Sequence, residues 1–296
     1  MSEMLSMLGA PFAACLAMTA ILGFLGVHVL KREVIFIDIA LAQIAAVGAT
    51  AAHLAFAAHE GSPVGYACAL GCVLLAAAFY ALVRRKVMQI SLEAVIGVSY
   101  AVAAAAALFM VGMTTQGHCH VHRMLAGSLL WTDWTDVLVL SVCFAAAGAA
   151  LFAARRPLSR ISDDYAGAVA AGMRVVWWDF LFYSLAGAVI TVAVRLAGVV
   201  VVFGLLIMPA AASTALSSRW TGRLLGAWGL GAVACAAGLL FAYKFDFSVG
   251  PSVVLLLGAT LALTSCLGLL RRPARPAGAE AGAGAGPTPQ TPGEQS

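Results

Sequence analysis

Charged side chains are scarce in this sequence. Asp, Glu, Lys and Arg together make up 10% of its 296 residues, whereas soluble globular domains carry roughly 25%. The mean hydropathy is correspondingly high, at +0.98. This composition excludes a soluble domain and predicts an integral membrane protein.

The sequence also lacks the short motifs of several enzyme classes. It contains no Walker-type phosphate loop and no GxGxxG, HExxH or GxSxG pattern. We therefore expect that the chain is not an enzyme and does not hydrolyse ATP by itself. No catalytic constellation supports an intramembrane enzyme either.

The cysteines do not suggest a disulfide framework. They are 7 in number, which is odd, and almost all lie within apolar segments. We expect them to be buried small side chains rather than disulfide partners. The C-x₂-C spacing that is typical of a closed structural zinc site is absent.

Long apolar runs are what the sequence has instead. A transmembrane helix needs ~20 mostly apolar residues. The candidates lie at about 9–30, 36–58, 64–83, 92–113, 136–154, 177–196, 198–216, 224–242 and 250–270. The two around Arg195 are joined so closely that one re-entrant unit is an alternative. The predicted fold is an all-α integral membrane protein, a polytopic bundle of eight or nine transmembrane helices.

The basic residues predict the orientation of this bundle. Alternate loops between the spans hold 14 of the 17 Lys and Arg residues, and the other loops hold only Arg123, Arg195 and Lys244. Basic residues concentrate in cytoplasmic loops. We therefore expect a multi-pass protein of the bacterial inner membrane whose C-terminus is cytoplasmic. The first span shows no signal-peptide cleavage site.

Two segments outside the spans are distinctive. Residues 273–296 are rich in Gly, Ala and Pro and cannot bury a core. We predict a permease domain over residues 1–272 and a disordered cytoplasmic tail over 273–296. The segment 154–179 is polar at its start and then amphipathic, which is typical of a short helix at the membrane surface.

Polar residues inside a predicted span are the first candidates for a functional role. The span IDIALAQIAAVGATAAHLAF, residues 37–56, carries Asp38, Gln43 and His53. Ionisable groups within the membrane are costly and usually functional. The alternative interpretation is that Asp38 is a solvated acid at the start of the helix, close to Lys31 and Arg32, where the helix dipole favours a negative charge.

Histidines cluster near the predicted outer face. The loop GHCHVHRM supplies four possible ligands for zinc or similar ions, namely His118, Cys119, His120 and His122. His53 and His59 lie on the same side, so an entrance funnel is possible. The alternatives are a polar loop and ordinary interfacial histidines.

Five segments, in order, resemble the membrane permeases of bacterial ABC importers for zinc, manganese and iron. They are GFLGVHVLKREVIFIDIALAQIAAVGATAAHLAF (23–56), SLEAVIGVSYAVAAA (91–105), MLAGSLLWTDWTDV (124–137), the stretch 163–220 that contains LLIMPAAAS, and FDFSVGPSVVLLLGA (245–259). The resemblance covers about 250 residues. It implies a homodimer that works with a cytoplasmic ATP-binding subunit and an extracytoplasmic metal-binding protein.

The resemblance also implies roles for particular residues. The helix with Asp38 and Gln43 would line the metal path, although the family's Asp–His pair is replaced here by a displaced Asp and a Gln. A helix break at Pro209 would produce a short coupling helix within 205–223 that docks on the ATPase. The alternative is an ordinary proline kink between packed helices. The residues assigned to this coupling are Pro209, Ser213, Ser217 and Arg219.

The transported ion would be a divalent metal, and no cofactor would be bound permanently. Nitrogen and sulfur donors in the histidine loop favour zinc, with manganese and iron as alternatives. A stand-alone secondary transporter or channel for metal ions is the competing hypothesis. The spans show few paired acids for ion coupling and no clear inverted repeat.

Overall fold

The computed structural model describes residues 2–56, 62–86, 90–112, 129–217 and 219–271. Within these ranges the chain is helical and contains no strand. The eleven α-helices are α1 Ser2–Lys31, α2 Ile37–Phe56, α3 Pro63–Lys86, α4 Leu92–Gly112, α5 Trp134–Ala153, α6 Arg155–Asp163, α7 Tyr165–Ala170, α8 Val175–Ala197, α9 Val199–Leu216, α10 Trp220–Phe245 and α11 Val249–Arg271. A 3₁₀ turn, Leu129–Trp131, precedes α5.

Nine of the helices in the described ranges are long and apolar enough to cross a membrane. They are all of these helices except the short α6 and α7. The predicted all-α bundle is therefore confirmed, at the upper of the two span counts. Around Arg195 there are two separate helices, α8 and α9, which are joined by Gly198 at φ 82°.

Eight of the nine spans pack as two groups. Helices α1, α9, α10 and α11 form the first group, and α2, α3, α4 and α8 form the second. The ninth span, α5, packs against α1 of the first group and α8 of the second. Close approach depends on glycine, as is common between helices in lipid. A Cβ at Gly26 of α1 would lie 1.9 Å from the Leu206 carbonyl oxygen of α9, and one at Gly48 of α2 would lie 2.8 Å from the Cys68 carbonyl oxygen of α3.

The expected helix break at Pro209 is wrong. Helix α9 continues through Pro209 to Leu216, and no separate short helix lies within the described part of 205–223. Proline removes a backbone donor and its ring needs space. Pro209 is buried and packs against α10, where a Cβ at Gly231 would lie at an ordinary contact distance of 3.5 Å from the ring. A proline within a span is tolerated where neighbouring helices cover it. The coupling role of Pro209, Ser213, Ser217 and Arg219 stays a prediction.

The short surface helix expected within 154–179 is present as two helices, α6 and α7. Leu158 and Ile161 of α6 are buried, whereas its arginines, Arg155, Arg156 and Arg160, are exposed. Asp164 begins α7 by accepting a hydrogen bond from the Gly167 backbone N–H at 2.8 Å. These helices lie on the side of the bundle that carries most of the Lys and Arg residues, which we call the basic face.

Candidate metal path and a buried ion cluster

Asp38 lies in the first turn of α2 and is buried, with 2% of its surface exposed. Its Oδ1 has no hydrogen-bond partner in the described part of the chain. The nearby cations are occupied elsewhere, since Lys31 pairs with Asp163 and Arg32 with Asp179. The alternative of a solvated acid beside Lys31 and Arg32 is therefore wrong.

The other polar residues of α2 lie apart from Asp38. Gln43 is half-buried and His53 is exposed. At about 100° per residue, Asp38 and Gln43 point roughly 140° apart around the helix. No group of three His, Cys, Asp or Glu side chains that could hold a metal ion occurs among the described residues.

The remaining predicted ligands are His59, His118, Cys119, His120 and His122, and all of them lie outside the described residues. Metal binding by the predicted ligands stays a prediction.

The structure brings together a second set of charged residues that the sequence did not predict. We call Arg32, Arg84 and Asp179 the buried ion cluster. Arg32 Nη1 donates to Asp179 Oδ1 at 2.6 Å, and Arg84 Nη1 donates to the same oxygen at 3.1 Å. The side chains of Arg32 and Asp179 are 0% exposed. The position of Asp179 near the end of an apolar run is typical of an interfacial acid, but the structure buries it between the two guanidinium groups.

Helix α6 contacts this cluster through Ser162. Its hydroxyl accepts a hydrogen bond from Arg32 Nε at 2.9 Å and lies 3.2 Å from His28 Nδ1. His28 is fully buried, and its ring packs against Phe24, Phe182 and Trp220. His28 is therefore a packed, hydrogen-bonded side chain within the bundle.

Aromatic rings cover the two arginines. Arg32 lies 4.2 Å from the ring centre of Phe182, and Arg84 lies 4.4 Å from that of Tyr165 on α7. Such cation–π contacts strengthen when water is excluded. Burial, reinforced by the charge of Asp179, raises the pKa of the Tyr165 hydroxyl and keeps it protonated.

Sequence reasoning missed this cluster because its members come from three distant segments. The available signal was Asp179 itself, an acid several residues inside the apolar run VVWWDFLF. A membrane-embedded acid needs a partner. Arg32 and Arg84 lie in basic loops, a position that the positive-inside rule explains without any partner.

Residues 4–268 match the model of the ABC 3 transport family, a range that includes all nine candidate spans. The chain is 37% identical over 101 residues to the manganese import system permease protein ScaB of Streptococcus pneumoniae, covering 34% of this chain and 36% of ScaB. It is 23% identical over 276 residues to a probable metal transport system membrane protein of Chlamydia pneumoniae, covering 90% of each.

The fold is similar to that of PsaBC from Streptococcus pneumoniae, solved in complex with Fab. The TM-score is 0.74 at 20% identity, over 89% of this chain and 94% of that one. The family model and the solved structure each match almost the whole chain. The chain belongs to the ABC 3 transport family.

Proposed function

We propose that this chain is the permease subunit of an ATP-driven importer of divalent transition-metal ions. The observation that carries the proposal is the family match over residues 4–268, which includes every candidate span. The names of the relatives in Streptococcus and Chlamydia, a manganese import permease and a metal transport membrane protein, support a metal as cargo.

The cargo metal is transported rather than retained. Manganese has the support of a relative's name, whereas zinc is favoured by the nitrogen and sulfur donors of His118, Cys119, His120 and His122. We propose that α2 lines the metal path, since Asp38 offers a buried carboxylate oxygen without a partner in the described chain.

The proposal requires partners that supply energy and cargo. Because the sequence has no phosphate-binding loop, ATP hydrolysis belongs to a separate cytoplasmic subunit. Capture of the metal belongs to an extracytoplasmic binding protein, and two copies of the chain form the membrane unit. The basic face is the cytoplasmic one in this proposal, which places the C-terminus there.

Helices α6 and α7 provide the docking region for the ATP-binding subunit. They are the extramembrane helices of the described chain, and they expose Arg155, Arg156 and Arg160 on the basic face. The connection between α9 and α10, with Ser217 and Arg219, lies on the same face and is a second contact. Both contacts would receive the movement that nucleotide binding produces.

The test is uptake of radiolabelled zinc or manganese into proteoliposomes. The vesicles contain the chain with its ATP-binding subunit, and the binding protein is supplied outside them. We expect accumulation only when ATP is present with the complete complex. Accumulation by this chain alone, without ATP, would instead establish a stand-alone transporter. Replacing His118, His120 and His122 together by Ala tests the entrance loop at limiting metal, where we expect reduced uptake.

A further inference from the structure

The buried ion cluster contains more cationic than anionic groups. Arg32 and Arg84 share one carboxylate, and both donate to the same oxygen of Asp179. The other oxygen, Oδ2, and Arg32 Nη2 have no hydrogen-bond partner in the described part of the chain. Removing two charges from water costs free energy, so a buried ion pair contributes little net stability. It contributes still less when some of its polar atoms lack hydrogen-bond partners. A role beyond stability is therefore worth seeking.

The two arginines belong to different elements, which meet at α8. Arg32 lies in the turn between α1 and α2, six residues before Asp38. Arg84 lies near the end of α3, a helix that packs along α2 and α8. Asp179 belongs to α8. In the structure Asp179 therefore links α8 to both the α1–α2 turn and α3, and loss of either hydrogen bond would leave its carboxylate bonded to the other element alone.

The α6–α7 unit contacts both arginines. Ser162 of α6 accepts the hydrogen bond from Arg32 Nε at 2.9 Å, and the ring of Tyr165 on α7 lies 4.4 Å from the Arg84 guanidinium. Only two residues separate Ser162 from Tyr165 in the sequence. A movement of this short unit would therefore act on both arginines at once, and a rotation about an axis between the two contacts would strengthen one while it weakens the other.

The α1–α2 turn is short and held by backbone hydrogen bonds, so a displacement of Arg32 would also move the start of α2. The Arg32 backbone N–H donates to the His28 carbonyl at 3.0 Å, and the Val34 N–H donates to the Val29 carbonyl at 3.2 Å. Glu33 has a φ of 55°, a left-handed conformation that is uncommon outside glycine. This turn leaves α2 little freedom to move independently of Arg32.

We propose that Arg32 and Arg84 are positioning residues that compete for Asp179, and that movement of α6 and α7 decides the competition. In the structure the Arg32 contact is the shorter one, and Arg84 also reaches the Tyr183 hydroxyl at 3.5 Å. When the α6–α7 unit turns, Asp179 passes from Arg32 to Arg84 and the start of α2 is released. This inference rests on the proposed function, because it assumes that a partner moves α6 and α7.

The test uses opposing substitutions in the assembled complex. In the Arg84→Met variant Asp179 can bond only to Arg32, and in the Arg32→Met variant it can bond only to Arg84. We expect basal ATP hydrolysis to change in opposite directions in the two variants, by about fivefold each, the size typical of coupling between sites. The number of ATP molecules hydrolysed per metal ion transported should rise in both.

The matched control is Arg85→Met, which removes an exposed neighbouring charge and should leave both quantities at wild-type values. A purely structural cluster predicts a different pattern, in which both cluster variants lower the melting temperature and shift ATP hydrolysis in the same direction. Such a result, or wild-type values in both variants, would overturn the inference.

Lysine variants cover the possibility that a methionine variant does not assemble. Arg32→Lys and Arg84→Lys keep the positive charge but lose the planar guanidinium group. We expect basal ATP hydrolysis to change in opposite directions in these two variants as well, by a smaller factor. Shifts of the same sign would overturn the inference here too. Failure of the wild-type complex to accumulate metal with ATP would refute the proposed function instead, so the two failures are distinguishable.

Discussion

Asp38 and Asp179 are both buried acids near the basic face, and their surroundings differ. Asp179 lies between two guanidinium groups, whereas Asp38 has no cationic partner in the described structure and keeps one oxygen unpaired. A charge without a partner is costly inside a membrane protein. Asp38 is therefore the residue of α2 that stability explains least and that a passing cation would suit best.

Replacing Asp38 by Asn tests this interpretation. The side chain keeps its size but loses its negative charge, and loss of a charge-assisted contact of about 1.5–3 kcal/mol corresponds to at least about a tenfold decrease in metal uptake. Uptake is measured in proteoliposomes with ATP and the partner proteins. Glu33→Gln, which neutralises an exposed acid on the same face, should transport normally. Wild-type uptake by the Asp38→Asn variant would remove Asp38 from the metal path.

At the scale of the elements, apolar runs predicted the spans because membrane thickness fixes the length of a helix. The predicted break at Pro209 is wrong because the sequence does not show that Pro209 is buried among packed helices, where a proline within a span is tolerated. The ion cluster was not predictable for a related reason, since Arg32, Arg84 and Asp179 meet only through the packing of α1, α3 and α8. Local pattern thus predicts elements, while contacts between distant elements need the structure.

Close approach of α1 and α9 at Gly26 gives a prediction for these elements. Gly26→Ala would place a Cβ 1.9 Å from the Leu206 carbonyl oxygen, which forces the helices apart at a cost of about 1–3 kcal/mol. Gly71→Ala is the matched control, because nothing lies within 4 Å of its Cβ position, and alanine favours a helix over glycine.

The measurement is the melting temperature of each purified variant in detergent. We expect a clear decrease for Gly26→Ala and an unchanged or slightly higher value for Gly71→Ala. Equal melting temperatures would mean that α1 and α9 do not approach each other as closely as the structure shows.

At the scale of the whole molecule, the basic residues alternate between the two ends of successive spans. The basic loops alternate with loops that hold few cations, and the structure places Arg32, Arg84 and the α6 arginines on one face. Arg195 lies 4.7 Å from the ring of Tyr66, at the opposite end of α3 from Arg84. The nine spans therefore follow the alternation that the positive-inside rule requires.

Labelling of intact cells tests this orientation. In a background in which the seven native cysteines are replaced by Ser, Trp131→Cys and Arg155→Cys each introduce one exposed thiol, on opposite faces. We expect a membrane-impermeant maleimide to label the first from outside and the second only after the membrane is opened. The reverse pattern would place the basic face outside and refute the proposed docking side.

Gly198 limits how the two groups of helices can rotate relative to each other. It alone joins α8 of one helix group to α9 of the other, while residues 32–36 join α1 and α2 on the opposite face. Each residue offers two soft backbone torsions, so the first connection has two and the second about ten. Backbone hydrogen bonds of the Arg32 and Val34 N–H groups hold the α1–α2 connection, so relative rotation of the two groups depends on the two torsions of Gly198, which restrict it to a narrow set of directions.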